Sequence, residues 1–466
     1  MAANPQAEAA NAAQAQRQQL RDADRRHHLH SFTDPRALAQ TGAFIVERAA
    51  GCRIEGEGGV VLLDAVAGLG CVNVGYGRSE LAETAAAAMR DLAFYHSFQA
   101  TTNPHAAALS ARIAALAPGQ LNRVFLANSG SEANETLAKL VRAYWRAKGQ
   151  PDRRVIISRD YAYHGSTLYT ASLNGLPGMH AAFGLPLADV AHIKAPYWYR
   201  EGGDMTPEDF ARDAADALWR KINEIGPAHV GAFIAEPVQV TSGAIVPPDG
   251  YLPRIAEICR EAGILLIADE VVTGFGRTGH WFAQAREGIE ADMMTLAKGL
   301  SSAYQPIAAA VVSDQVHDTV AEAEEAFQHG FTTSGHPVAS AVALENIAIL
   351  EREDLIARSA AMGRYLHDRL AGLADHPLVG EVRGYGLLAG IELVVDKAAR
   401  TGYPPEAGIC GHVANAALMR GVIIRATGNS LVICPPLIIT QAEIDTVVAA
   451  LSEALDEVHG RLTASG

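Results

Sequence analysis

The stretch "ILLIADEVVTGFGRTGHW", residues 264–281, ends an uninterrupted apolar run on two adjacent acids, Asp269 and Glu270. Burying an unpaired carboxylate costs several kcal/mol or forces protonation, so a strand that ends this way needs a cation or a proton for its acid. The chain has only six lysines against 32 arginines, so the setting of each lysine is informative. Five of them, Lys139, Lys148, Lys194, Lys221 and Lys397, lie in helical or polar surroundings. Lys298, in "ADMMTLAKGLSSAYQP", follows an apolar run and precedes a glycine. Burial there would lower its pKa and leave a neutral amine able to form a Schiff base with a carbonyl. The same position also suits a lysine that snorkels from a strand end. A third feature, "LANSGSEANE", sets Ser129, Gly130 and Ser131 between a strand end and a helix start. Backbone N–H groups, two hydroxyls and a glycine form an anion cup suited to phosphate. As a bare local pattern it is equally a capped helix with acids placed to suit the dipole.

These residues need elements to hold them. From about Val60 the chain alternates short apolar or β-branched runs with longer helical patterns, the signature of a parallel sheet covered on both faces. Expected strands are "RVFLAN", "RVIISR", "VGAFIAEP", "ILLIADE" and "IAAAVVS". Expected helices include "SEANETLAKLVRAYWRAKG" and "GYLPRIAEICREAG", the second stopped by Gly263. After about His336 a long helix leads into helices interleaved with short strands. The expected organisation is an arm at 1–30, a segment at 31–75 packing on the smaller domain, a large domain at 76–335 and a small α+β domain at 336–466. With 466 residues and 49% hydrophobic content the chain can bury a sizeable core. A net charge of −14 opposes binding to nucleic acid or anionic membrane. No run is long enough to span a bilayer. Five scattered cysteines without C-x-x-C spacing indicate neither disulfides nor zinc and suit a cytoplasmic protein. The histidines of "RRHHLH" have no second ligand cluster at a metal spacing, so no metal is expected.

Taken together, the acid, the lysine and the cup fit one cofactor. Pyridoxal 5'-phosphate carries a phosphate for Gly130 and Ser131, a cationic ring nitrogen for Asp269 and an aldehyde for Lys298. At these motifs the sequence resembles the class III aminotransferases, in particular the amine–pyruvate or ω-transaminase subgroup. The likeness runs from "HHLHSFTD" to "CPPLIITQAEID" and rests on "VNVGYG", "NSGSEANE", "YHGST", "AEPVQ", "ADEVVTGFGRTG", "AKGLSS" and "FTTSGHP". It implies an α/β fold of type I among pyridoxal-phosphate transferases, with a large, mainly parallel domain and a smaller α+β domain built from both chain ends. It further implies that Ser129, Gly130, Ser131, Tyr163, His164, Glu236, Val271 and Thr332 surround the cofactor. Tyr163 would stack on one ring face and Val271 on the other. Thr332 would reach the phosphate of a neighbouring subunit, making the active unit a homodimer or a higher homo-oligomer with shared sites.

Arg425 would be the mobile arginine that meets a substrate carboxylate and swings away for a neutral amine. Glu236 would balance Arg425 when no carboxylate is bound, or keep a structural hydrogen bond. The implied reaction transfers nitrogen from a primary amine or ω-amino acid to pyruvate or another 2-oxo acid, giving a ketone or aldehyde plus alanine. Lys298 is its general base, and Asp269 keeps the ring nitrogen protonated. An aminomutase, racemase or decarboxylase would use the same parts; a silent scaffold would not need Lys298 and Asp269. Two departures bear on substrate. Where relatives carry a bulky aromatic, this chain has Gly70 in "GLGCVNVGYG", which is expected to widen the pocket. The segment after "EPVQ" is "VTSG", residues 240–243, in place of a glycine-rich loop.

Overall fold

Runs such as "VGAFIA" and "LLIAD" are apolar on both faces, and such strands are stable only with helices on either side of the sheet. The computed structural model describes residues 5–323 and 326–465, and builds this arrangement. Strands β1 (Val46–Ala50), β2 (Arg53–Gly56) and β3 (Val60–Asp64) come first. The central sheet follows: β4 (Leu121–Ala127), β5 (Val155–Arg159), β6 (Val190–Ile193), β7 (Val230–Ala235), β8 (Leu265–Asp269), β9 (Met293–Leu296) and β10 (Ala308–Ser313). Its seven strands lie in the order β4-β10-β9-β8-β7-β5-β6. Only β10 runs against its neighbours β4 and β9; the other pairs are parallel. Helix Gly130–Ala147 covers one face with Leu137, Val141 and Trp145. Helices Pro207–Ile225 and Tyr251–Ala262 cover the other. Gly263, at φ 61°, ends the second as the sequence predicts.

Five of the seven strands were expected from their apolar runs. The other two, β6 and β9, are four residues long, too short to display a period.

The C-terminal sheet is antiparallel, in the order β11 (Val379–Gly384), β12 (Ala389–Leu393), β15 (Ser430–Ile433) and β14 (Arg425–Thr427). The remaining strand, β13 (Val422–Ile423), leaves it and pairs in parallel with β3. The two chain ends therefore share a sheet. A helix spans Pro5–His27 within the segment expected to form an arm, whose first four residues lie outside the described ones. Near its end the Asp24 carboxylate is shared by His28 Nδ1 at 3.0 Å and His30 Nε2 at 2.9 Å, so hydrogen bonds account for the "RRHHLH" cluster. Among the described residues no helix is long and apolar enough to cross a membrane.

Because β4, β5, β7, β8 and β9 all point the same way, their carboxyl ends meet at one edge of the sheet. Ligands of open α/β sheets bind at that edge. Ser129–Ser131, Tyr163, Glu236, Asp269 and Lys298 all follow or end one of these strands.

Candidate active site

At this edge lies a cavity of 180 Å³ lined by Gly130, Ser131, Tyr163, His164, Asp269 and Lys298 among others. Asp269 closes β8 and is almost fully buried. Its Oδ2 accepts from His164 Nδ1 at 2.7 Å and from Asn134 Nδ2 at 2.9 Å, and its Oδ1 from the Val271 N–H at 3.1 Å. Burial alone would raise its pKa, but the His164 hydrogen bond and charge, with the Asn134 and Val271 donors, hold it below the usual range. Asp269 therefore remains a carboxylate. Asn134 is itself oriented by Thr295, whose hydroxyl donates to Asn134 Oδ1 at 2.5 Å.

Lys298 stands two residues beyond β9, at φ 44°, a left-handed conformation that a lysine seldom adopts. Asn346 Nδ2 pins the turn by donating to the carbonyls of Gly299 and Leu300 at 2.8 and 3.0 Å. Burial pushes the Lys298 pKa down, opposed by electrostatic interaction with Cys71, Asp269 and Glu236. The side chain keeps some exposure into the cavity while its surroundings are dense. The other five lysines are placed elsewhere: Lys194 and Lys221 pair with Asp213 and Glu224, Lys397 donates to the Ala374 and His376 carbonyls, Lys139 meets His329 and Lys148 lies over Tyr144.

The start of helix Gly130–Ala147 forms the opposite wall. A Cβ on Gly130 would lie 3.1 Å from Val271 Cγ2, so a side chain there would crowd the cradle. Ser131 Oγ accepts the Ser166 N–H at 3.0 Å. Ser129, next to the lining residue Gly130, is the helix N-cap, its hydroxyl accepting the Glu132 N–H at 3.2 Å. Tyr163 and Val271 both line it, as does His164, whose Nε2 is buried without a partner.

A sequence model of the family described as "Aminotransferase class-III" matches residues 36–455. The chain is a class III aminotransferase. The aminotransferase is 46% identical to a putrescine–pyruvate aminotransferase of Pseudomonas aeruginosa, across 94% of this chain and 96% of that one. The crystal structure of the omega transaminase from Pseudomonas jessenii in complex with PMP superposes with a TM-score of 0.94 at 40% identity, covering 96% of this chain and all of that one. A thermostable omega transaminase variant with a tryptophan-to-glycine exchange, engineered for asymmetric synthesis of enantiopure bulky amines, superposes with a TM-score of 0.93 at 40% identity, over 95% and 99% of the two chains.

The cofactor of this aminotransferase is pyridoxal 5'-phosphate. The residues present fit it: a carboxylate held ionised, an unpartnered buried imidazole nitrogen, a glycine cradle at a helix start and a lysine shifted towards its neutral form, all on one cavity.

On the substrate side, Glu236 keeps a structural hydrogen bond, the second of its two expected roles. Its Oε1 accepts the Tyr163 N–H at 3.0 Å, and burial raises its pKa to about 7, the neighbouring Asp269 adding to the rise. Arg425 opens β14, at the crossing between the two smaller sheets. It is half-buried and outside the cavity lining. Gly70 also lies outside the lining, behind Val272, which is part of it. Thr332 sits exposed in a turn. Asn134 is a site residue that the motifs do not single out, and its signal is a polar residue on the buried stripe that includes Ala133 and Leu137, since such a residue needs a partner.

Proposed function

We propose that the protein transfers the amino group of a primary amine or ω-amino acid to pyruvate or another 2-oxo acid. The observation that carries this reading is the convergence of Lys298 with the ionised Asp269 and the Gly130–Ser131 cradle on one cavity, in a chain 46% identical to a putrescine–pyruvate aminotransferase. Bound pyridoxal phosphate supplies an electron sink for the carbon that loses its proton. Lys298 Nζ takes that proton and returns it, a role that its lowered pKa favours. Asp269 holds the positive charge of the ring nitrogen, and His164 and Asn134 keep the carboxylate ionised and aimed. Ser131 and the helix N–H groups receive the phosphate. Tyr163 and Val271, both on the cavity wall, would hold the cofactor ring between them. Arg425 meets the carboxylate of the 2-oxo acid after a side-chain movement.

The working unit in this reading is a cytoplasmic homodimer or higher homo-oligomer, in which the exposed Thr332 completes the neighbouring subunit's phosphate site. The pairing of β13 with β3 supports treating residues 31–75 with the C-terminal part, apart from a cofactor-binding body at 76–335. The deciding experiment is an amino-donor panel read by alanine formation from pyruvate. Amines such as putrescine and ω-amino acids should yield alanine; an enzyme that forms none from any donor would refute the reading.

A further inference from the structure

Arg383, on β11, directs its guanidinium into a buried ion cluster. Nη1 donates to Glu381 at 2.7 Å and Nη2 to Glu392 at 3.0 Å. Glu392, on β12, also accepts from Arg200 Nε at 2.7 Å, from Ser430 Oγ at 2.6 Å and from the Tyr197 hydroxyl. Two arginines and two carboxylates balance there, with the side chains of Arg383 and Glu392 only 7% and 1% exposed. The cluster joins the C-terminal sheet to the segment that follows β6.

The same guanidinium reaches out of the cluster to the turn at residues 240–244. Nη2 donates to the Gly243 carbonyl at 2.6 Å and Nε to the Ala244 carbonyl at 3.1 Å. The turn is conformationally costly: φ is 117° at Gly243 and 52° at Ala244. It is also pressed against the cluster, since a Cβ on Gly243 would lie 2.4 Å from Ser430 Oγ. Its other flank is tied by Ser242 Oγ, which donates to the Tyr161 carbonyl at 2.7 Å. Val240 packs with Val66, Val432 and Cys434. Between these anchors Thr241 lines the catalytic cavity. Ser430 further belongs to the β14–β15 hairpin, where it pairs with Thr427 while Arg425 pairs with Val432.

One buried cluster thus grips both the turn that carries Thr241 and the hairpin that carries Arg425. We propose that Arg383 and Glu392 are positioning residues that place Thr241 and the Arg425 hairpin, and through them set which amine donor the cavity accepts, while taking no part in holding the cofactor. The proposal rests on the reading that donor and acceptor both use this cavity.

Arg383→Lys keeps the charge and loses the fork that binds cluster and turn together. Glu392→Gln keeps the shape and removes the charge. Each variant is assayed for cofactor retention by absorbance and for kcat and KM over amine donors of graded size. In Arg383→Lys, KM for the amine should rise about tenfold while kcat stays within about twofold and cofactor retention matches the wild type. Thr241→Val should alter donor preference in the wild-type background and have a smaller effect in the Arg383→Lys background, because the coupled side chain is no longer held. Parallel loss of cofactor retention and of kcat with every donor would overturn the proposal, as would an equal effect of Thr241→Val in both backgrounds. If Arg383→Lys does not fold, Ser430→Ala, which leaves the ion pairs in place, provides the same comparison. Failure of the wild type to form alanine would instead refute the proposed reaction, so the two failures are distinguishable.

Discussion

Asp269, on the inner wall of the cavity, takes hydrogen bonds from three groups, one of them the N–H two residues ahead. The Arg425 guanidinium, at the rim, makes no hydrogen bond or ion pair among the described residues, and only the backbone of β14 is held, by its pairing with β15. The difference extends to their neighbours. The inner wall is assembled from strand ends of one sheet, each fixed by the ladder behind it. The rim is assembled from the Val66–Gly70 region, the turn at 240–244 and the β14–β15 hairpin, brought together from distant parts of the chain. A wall fixed by many short-range bonds keeps one chemistry, whereas a rim held at a few points can be altered without disturbing it.

The largest losses are expected at the inner wall. Lys298→Ala should abolish transamination, and borohydride trapping followed by peptide mapping should find the cofactor adduct on Lys298 in the wild type. Asp269→Asn removes the charge but keeps the shape, and turnover should fall by about 10²–10⁴-fold. Near-wild-type turnover of purified Asp269→Asn would remove that residue from the mechanism. Asn134→Ala should produce a milder version of the same defect.

Next comes Arg425→Ala. Only the 2-oxo acid carries a carboxylate beside its reacting carbon, so the pyruvate half-reaction should weaken by about 1.5–3 kcal/mol, the range for hydrogen bonds to charged groups. The half-reaction with a neutral amine should change little. Stopped-flow measurement of the two half-reactions checks this, and equal damage to both would make Arg425 a structural residue.

The inner wall and the rim also differ in how far the sequence reveals them. Asp269 and Lys298 are legible because each breaks a local rule, an acid ending an apolar strand and a lysine following one. His164 is legible only as part of a motif; its bond to Asp269 spans 105 residues. Arg383 gives no signal at all. Its partners Tyr197 and Gly243 lie 186 and 140 residues away, and an arginine in a short strand reads as solvated. Sequence patterns report neighbours along an element, while the rim depends on contacts between elements.

A smaller effect tests the acid beside Asp269. Glu270 faces away from the cavity, accepting from Thr273 Oγ1 and from the Gln284 N–H at 2.7 Å, and burial raises its pKa to about 7. The folded state keeps a proton that the unfolded chain loses near 4.5. Glu270 therefore contributes stability below about 4.5 that is lost as the pH rises through about 7. Glu236 has the same sign and window. Asp269, whose pKa is lowered, has the opposite sign and acts only in acid. Glu270→Gln should thus remove about half of the decline in Tm between pH 5 and pH 8 that these two glutamates cause. Thermal unfolding of the apoenzyme at both pH values measures it, and an unchanged slope would show that Glu270 is not protonated in the fold.

The smallest and most local effect is expected at Gly70, where the rim touches the wall. A Cβ there would lie 3.3 Å from Val272 Cγ1 and 3.7 Å from Cys434 Sγ, so the space nearest the backbone is already flanked. Val272 lines the cavity, and any added group at Gly70 must act on substrate by pushing it. Gly70 also adopts φ 69°, where an L side chain costs about 1–2 kcal/mol regardless of space. Strain and overlap must therefore be separated. Gly70→Ala should lower Tm and reduce turnover of the bulkiest donors a few-fold, leaving small amines and the pyruvate half-reaction nearly unchanged, since steric loss grows with donor size. Adding Val272→Ala removes the overlap but not the strain. In the double variant the low Tm should persist while large donors recover. Should the donor-size profile of Gly70→Ala match the wild type, Val272 would be absorbing the added methyl without narrowing the cavity, and Gly70 would have no part in substrate choice.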